Sequence, residues 1–347
     1  MKNNNKSRRD FIKKTALGTG AVATLGATSK VQPSEKEVSK SEKLPRKVWI
    51  ATVSQQNVKA KNPEEMISKI LKIMEEIVPM NPDIICLPEV FPYAYLPKRP
   101  PLSESAEKPI GPVTDPFAQF AKKHNCYVIC ATYTEDEGKY YNSAVLIDRK
   151  GEPVGEYRKM FPTAPEMERG IKPGPIEPPV FDTDFGRIGM QICYDNEWIA
   201  GWDKLQKAGA EIVFWASAFS GGEKLNSFAR LFNYYVVSST RKGPARVIDI
   251  TGDDIATTGI WQQNWVCASI NMEKAVVSSW PHFTHFNDII KKYGQDVRIT
   301  NLHNEEVSII ESLSAEIKVS EILEEFKFKG KKEELQEVEK VQERNRK

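Results

Sequence analysis

Short apolar runs rich in β-branched and aromatic residues recur from Val48 to Asn271, with segments of helical periodicity between them. This alternation limits the chain more than any other feature, because it is the pattern of helices packed on sheets. Val48 to Ser54 reads as a first strand. Asn62-Pro63-Glu64-Glu65 then supplies an N-cap, a proline at the first helical position and acidic residues in the first turn. Met66, Ile67, Ile70, Leu71, Ile73, Met74 and Ile77 follow as one apolar face. Further strands fit Tyr127 to Tyr133, Tyr141 to Ile147, Ile188 to Ile192, Ile212 to Trp215, Tyr235 to Ser239, Arg246 to Asp249 and Val266 to Asn271. A helix fits Lys224 to Tyr234, and Thr251-Gly252-Asp253-Asp254 suits a hairpin turn. The predicted class is α/β.

Three apolar runs stop abruptly at a residue with useful chemistry. Ile188 to Ile192 ends at Cys193, and Asp83-Ile84-Ile85-Cys86-Leu87-Pro88 ends at Glu89. The strand expected over Glu152 to Tyr157 runs into Arg158 and Lys159. Open α/β sheets gather ligand chemistry at strand ends, so a thiol, a carboxylate and an ammonium are expected to meet on one rim. Those three groups suffice for acyl transfer without histidine. The chain has only four histidines, His124, His282, His285 and His303, and none adjoins these runs. His282 and His285 lack Cys, Asp or Glu at ligand spacing, so no metal site is expected.

Pro88-Glu89, Tyr157-Arg158-Lys159 and Ile192-Cys193, in that order, resemble the three motifs of the nitrilase superfamily of carbon-nitrogen hydrolases. Tyr141-Asn142-Ser143-Ala144, Gly186-Arg187-Ile188-Gly189 and Gly209-Ala210-Glu211-Ile212 are similar to the segments around them, and the likeness covers about Lys47 to Lys274. The resemblance implies a four-layer α-β-β-α sandwich. It also implies that Cys193 is the nucleophile, Glu89 the proton carrier, and Lys159 with the Tyr194 backbone N–H the oxyanion holders. A second glutamate shortly after the lysine matches Glu166 in Pro162-Thr163-Ala164-Pro165-Glu166, with Glu168 as the competing placement. The implied reaction is hydrolysis of a non-peptide carbon-nitrogen bond in an amide or carbamoyl compound, with no metal and no organic cofactor. Tyr194-Asp195 follows the cysteine where nitrile-hydrolysing relatives often place Trp and Glu, which favours amides. A nitrile substrate, acyl transfer to an amine and a noncatalytic binding role remain as alternatives. Specificity would rest on loops such as Phe91 to Ser105 and Phe219 to Lys224, and relatives suggest a homodimer or larger homo-oligomer.

Ser7-Arg8-Arg9-Asp10-Phe11-Ile12-Lys13-Lys14 before the small, weakly apolar stretch Thr15 to Ala27 is similar to a twin-arginine export signal. The expected organisation is a signal over residues 1–30, a linker over 31–46, a hydrolase domain over 47–312 and a charged helical tail over 313–347. An exported, periplasmic location follows, with the twin-arginine translocation machinery as a partner and no permanent membrane anchor. In the tail, Ile317, Val319, Ile322, Leu323 and Phe326 at helical spacing predict an amphipathic helix. A formal charge of +2 gives no electrostatic case for nucleic acid. All five cysteines are expected to stay free. Cys126 and Cys130, assigned to one strand, would have Cα atoms about 13 Å apart, beyond the reach of a disulfide.

Overall fold

The strands form where the sequence alternates between two apolar faces. In Lys47–Val53, Val48 and Ile50 enter one core while Ala51 and Val53 enter another. In Ile212–Ser217, Ile212, Phe214 and Ala216 lie opposite Val213 and Trp215. Strands apolar on both faces must be covered on both faces. The computed structural model describes residues 47–346 apart from 260 and 262, so the predicted signal and linker lie outside the described residues.

Two six-stranded sheets result. The first runs in the order Trp265–Asn271, Lys47–Val53, Ile84–Cys86, Tyr127–Asp136, Lys139–Ile147, Pro153–Arg158. The second runs Asp254–Thr257, Arg246–Ile248, Tyr235–Thr240, Ile212–Ser217, Gly186–Ile192, Val180–Thr183. Each has three central parallel strands, in register through Ile50, Ile84 and Tyr127 in one and Ile188, Ile212 and Tyr235 in the other. The outer pairs are antiparallel. Inner faces meet in a shared core of Ile50, Ile84, Ile129 and Leu146 with Ile188, Met190, Phe214 and Val237.

Helices cover the outer faces. Pro63–Ile77 and Asp115–His124 lay Met66, Ile70, Met74, Phe117 and Phe120 on the first sheet. Ile199–Lys207 and Glu223–Phe232 lay Trp202, Leu205, Leu225 and Phe228 on the second. This is the four-layer α-β-β-α sandwich that the resemblance implied. Pro63–Ile77 starts as predicted, with Asn62 Oδ1 accepting from Glu65 N at 2.8 Å. Burying its Met66, Ile70, Met74 and Ile77 contributes up to about 1.5–3 kcal/mol per side chain.

The structure departs from the sequence reading in several elements. The strand expected over Tyr127 to Tyr133 continues to Asp136 and folds straight back through Glu137 and Gly138, both at positive φ. That two-residue turn matches the twist of the flanking strands, so a hairpin occupies this edge. Cys126 precedes the strand, and all five cysteines are free thiols. Arg246–Ile248 and Asp254–Thr257 form the hairpin expected around Gly252. A third sheet, Lys274–Ser278, Val307–Ser312 and Val297–Leu302, was not anticipated, since Arg298, Thr300 and Asn301 break the apolar pattern of its last strand. The expected tail helix divides in two. Val319–Glu325 buries Val319 and Ile322 beside Phe286 and Ile310 of the third-sheet core, and Lys331–Arg346 is a separate helix. The break falls at Lys327, whose φ of 57° ends the first helix. No helix among the described residues is long and apolar enough to cross a membrane.

Candidate active site

Glu89 stands just beyond the parallel strand Ile84–Cys86, and Leu87 extends that strand by bonding Ile129 O at 3.0 Å. The next residue, Val90, has φ 38°, an unfavourable conformation for a β-branched side chain. Cys193 follows the parallel strand Gly186–Ile192 and also has positive φ, 46°. Two strained turns thus lie beside the carboxylate and under the thiol, the kind of local cost that surrounding structure must hold in place. Trp215 Nε1 helps by donating to Cys193 O at 3.1 Å.

Lys159 follows the antiparallel edge strand Pro153–Arg158. Its N–H bonds Asn142 O at 2.8 Å, and its carbonyl accepts from Gly174 N at 2.8 Å. Only glycine fits there, since a Cβ on Gly174 would lie 2.1 Å from the Arg158 carbonyl oxygen. Glu166 belongs to the short helix Ala164–Glu168, where it closes a capping box with Thr163. Its Oε2 accepts from Thr163 N at 2.8 Å and from Thr163 Oγ1 at 2.9 Å. The same oxygen accepts from Lys159 Nζ at 2.8 Å, so the helix start also aims the carboxylate. Glu168 is exposed, and no hydrogen bond ties it to Lys159.

The charged groups converge in a dry place. Glu89 is 3% exposed, Lys159 1% and Cys193 8%. Lys159 Nζ lies 3.0 Å from Glu89 Oε1, Asn142 Nδ2 donates to that oxygen at 2.9 Å, and Arg241 Nη2 lies 3.3 Å from Glu89 Oε2. Burial alone would raise the Glu89 carboxyl. The Lys159 and Arg241 charges outweigh it and hold the group below the usual carboxylate range. Burial likewise works to lower Lys159, but the Glu89 charge, with Glu166 beside it, keeps the ammonium above its ordinary value. Burial and the Glu89 charge push the Cys193 thiol up to about 12, with Lys159 opposing only in part. The resting site therefore holds a neutral thiol beside an ammonium and the Glu89 carboxylate.

Asp195, fully buried, fastens the lysine turn to the cysteine turn. Tyr157 OH donates to its Oδ2 at 2.7 Å, Ile192 N to Oδ2 at 2.9 Å and Phe161 N to Oδ1 at 2.8 Å. Burial raises this carboxyl to about 6 despite those donors and Lys159. Tyr194 is the second residue of the turn Cys193–Glu197, and its ring meets Trp198 edge-on at 5.0 Å. The histidines stand elsewhere: His124 meets Glu75, His282 and His285 pack on Phe328, and His303 begins the turn His303–Glu305. Among the described residues no cluster of three or more His, Cys, Asp or Glu could hold a metal ion.

Glu89, Lys159 and Glu166 thus make one bonded cluster, and Cys193 is close enough to feel its charges. Sequence reasoning missed Arg241 and the parts played by Asn142 and Asp195. Arg241 could have been found, because it ends the apolar strand Tyr235–Thr240 as Cys193 ends its own.

The carbon-nitrogen hydrolase family model matches residues 50–277. The chain is 29% identical over 161 residues to a nitrilase of Pyrococcus abyssi, covering 46% of this chain and 61% of that protein. It is 30% identical over 164 residues to a beta-ureidopropionase of Arabidopsis thaliana, covering 45% and 40% respectively. The matched region therefore spans less than two thirds of these relatives. In fold it is similar to a carbon-nitrogen hydrolase from Helicobacter pylori, with a TM-score of 0.59, 18% identity, and coverage of 66% of this chain and 90% of that one. A family match across more than half the chain, on the same fold, carries one conclusion: the protein belongs to the carbon-nitrogen hydrolase family.

Proposed function

We propose that the protein hydrolyses a non-peptide carbon-nitrogen bond of a small amide or carbamoyl compound through a Cys193 acyl-enzyme. The observation that carries this reading is the buried Lys159 ammonium shared by Glu89 and Glu166 and electrostatically coupled to the Cys193 thiol. The Cys193 proton passes to Glu89 as Sγ attacks the acyl carbon, because a thiol held near 12 does not ionise beforehand. The negative charge that develops on the substrate oxygen is met by Lys159 Nζ and the Tyr194 backbone N–H. A donor of this kind is worth about 2.7–4 kcal/mol in the transition state. Glu89 returns the proton to the leaving nitrogen, and ammonia or an amine departs. Water then gives a proton to Glu89 and attacks the thioester, with Glu166 fixing Lys159 and orienting the water. The C–S bond breaks, Glu89 passes that proton to Cys193 Sγ, and the acid product leaves. No step calls on a cofactor.

A panel of amides, ureas, carbamoyl compounds and nitriles tests this by ammonia release. Small amides and carbamoyl compounds are expected to turn over fastest. A nitrile faster than every amide would transfer the reading to the nitrilase alternative, and product formed only with an added amine would indicate acyl transfer.

We also propose that residues 1–30 are a twin-arginine signal and that the mature enzyme works outside the cytoplasm. The support is Arg8-Arg9 before the uncharged run Thr15 to Ala27. Replacing Arg8 and Arg9 by lysine is expected to retain active enzyme in the cytoplasm, as read by cell fractionation. Continued export of that variant would sink the assignment.

A further inference from the structure

Asn142 lies in the middle of the strand Lys139–Ile147 and is buried among the ionised groups. Its amide nitrogen donates to Glu89 Oε1 at 2.9 Å and to Glu166 Oε1 at 2.7 Å. Its backbone carbonyl accepts from Lys159 N at 2.8 Å. Chemistry fixes the orientation of the amide, since the reverse placement would set a carbonyl oxygen against two carboxylates. Asn142 Oδ1 is then buried with no hydrogen-bond partner among the described residues. An orphaned acceptor is a cost to folding, and a buried polar group held at such a cost calls for another reason to be there.

The two oxygens of Glu89 are unequally bonded. Oε1 receives Lys159 Nζ at 3.0 Å and Asn142 Nδ2 at 2.9 Å, whereas among the described residues Oε2 receives only Arg241 Nη2, at 3.3 Å. The oxygen with fewer and longer bonds keeps the more available lone pair. We propose that Asn142 is a positioning residue that ties Glu89 Oε1 and Glu166 Oε1 to a rigid strand and so reserves Glu89 Oε2 for the Cys193 proton. The inference rests on the reading of Glu89 as the proton acceptor. In that step the S–H bond breaks, its electron pair forms the Sγ–C bond, and the proton settles on Oε2. The terminal torsion of a glutamate is soft. Without Asn142 the carboxylate keeps Lys159 on Oε1 and Arg241 on Oε2 but loses its tie to the strand, so its torsion loosens and fewer encounters begin in reacting geometry.

The charged and titratable groups that face Glu89 are Lys159, Arg241 and Cys193, with Glu166 across the shared ammonium. An N–H bonded to a carboxylate favours its ionised form, so removing the Asn142 amide moves the Glu89 pKa up. The acid limb of the pH profile of kcat/KM should therefore shift to higher pH, which a merely structural residue would not cause.

Asn142→Ala and Asn142→Ser in the full-length protein test this on the fastest amide of the panel. The expected result for alanine is a kcat about 100-fold lower, a KM within about threefold of the parent, and an acid limb at higher pH. Serine, with one donor, should recover part of both effects. Parental kcat and an unmoved acid limb in both variants would overturn the proposal, as would a raised KM at unchanged kcat. Loss of the folded circular dichroism spectrum in both would also overturn it, by making Asn142 a residue of stability alone. Glu89→Gln separates this from the underlying reading. If that variant keeps the parental activity and acid limb, the proton-acceptor assignment itself fails. If it is inactive while the Asn142 variants behave as the parent, only the positioning role fails.

Discussion

Cys193→Ala is expected to lower turnover of the best amide by about five orders of magnitude or more while the protein keeps its fold. The reacting sulfur is irreplaceable in the proposed chemistry, since every later step acts on the thioester that it forms. The fold should tolerate the change. Cys193 packs at the edge of the central core and its φ of 46° strains alanine no more than cysteine, so the stability cost should stay near 1 kcal/mol. Cys193→Ser should be nearly as inactive, because a hydroxyl resists ionisation more than a thiol does. Glu89, held acidic by Lys159 and Arg241, is a weak base for it. Ammonia release and a thermal melt on the same preparation check both halves. A well-folded alanine variant with a tenth of the parental rate would remove Cys193 from the chemistry.

Much of this site was legible because its key residues interrupt apolar strands. Glu89 and Cys193 each come at or near the end of a buried apolar run, where the hydrophobic pattern stops and a polar side chain begins. Lys159 carries the same signal, although its strand is an antiparallel edge and not a parallel centre. Glu166 was also readable. Thr163 and Glu166 have the spacing of a capping box, and that local rule, applied alone, separates Glu166 from Glu168.

The remainder was hidden for physical reasons. Asn142 sits inside a strand, where neither ending nor periodicity marks it, and only the fold brings its amide against two carboxylates. Asp195 looks like an ordinary turn residue until its side chain turns back to bind Ile192 N and reaches across to Tyr157 and Phe161. The third sheet escaped notice because Val297–Leu302 has one side open to solvent and too few apolar positions to declare itself. Local pattern reports where the chain is buried. It does not report which distant polar groups will share that burial.

Lys159→Gln is expected to cut kcat/KM by about 1,000-fold or more, and equally for uncharged and anionic amides. Equality across substrates is the informative part, since an oxyanion develops on every acyl group whereas a substrate carboxylate is present only on some. Activity lost on anionic amides alone would make Lys159 a specificity contact. The same substitution should also cost about 3–5 kcal/mol of stability at neutral pH, because Glu89 and Glu166 lose their shared ammonium while Glu89 stays buried. The sign of its pH dependence follows from the groups left behind. In the parent, Glu89 is held below its usual range, so its contribution is present above the ordinary carboxylate pKa and is lost as pH falls through the depressed folded value. In the variant the Arg241 charge, at 3.3 Å, and the Asn142 amide, at 2.9 Å, are left to oppose burial, and the Glu89 pKa moves upward. A group raised in this way contributes stability that is present below its ordinary pKa and lost as pH rises through the folded one. The deficit relative to the parent should therefore be small near about pH 4 and grow toward about pH 7, as followed by denaturant unfolding across that range. A deficit that stays constant with pH would mean that Glu89 is not the group carrying the charge that Lys159 balances.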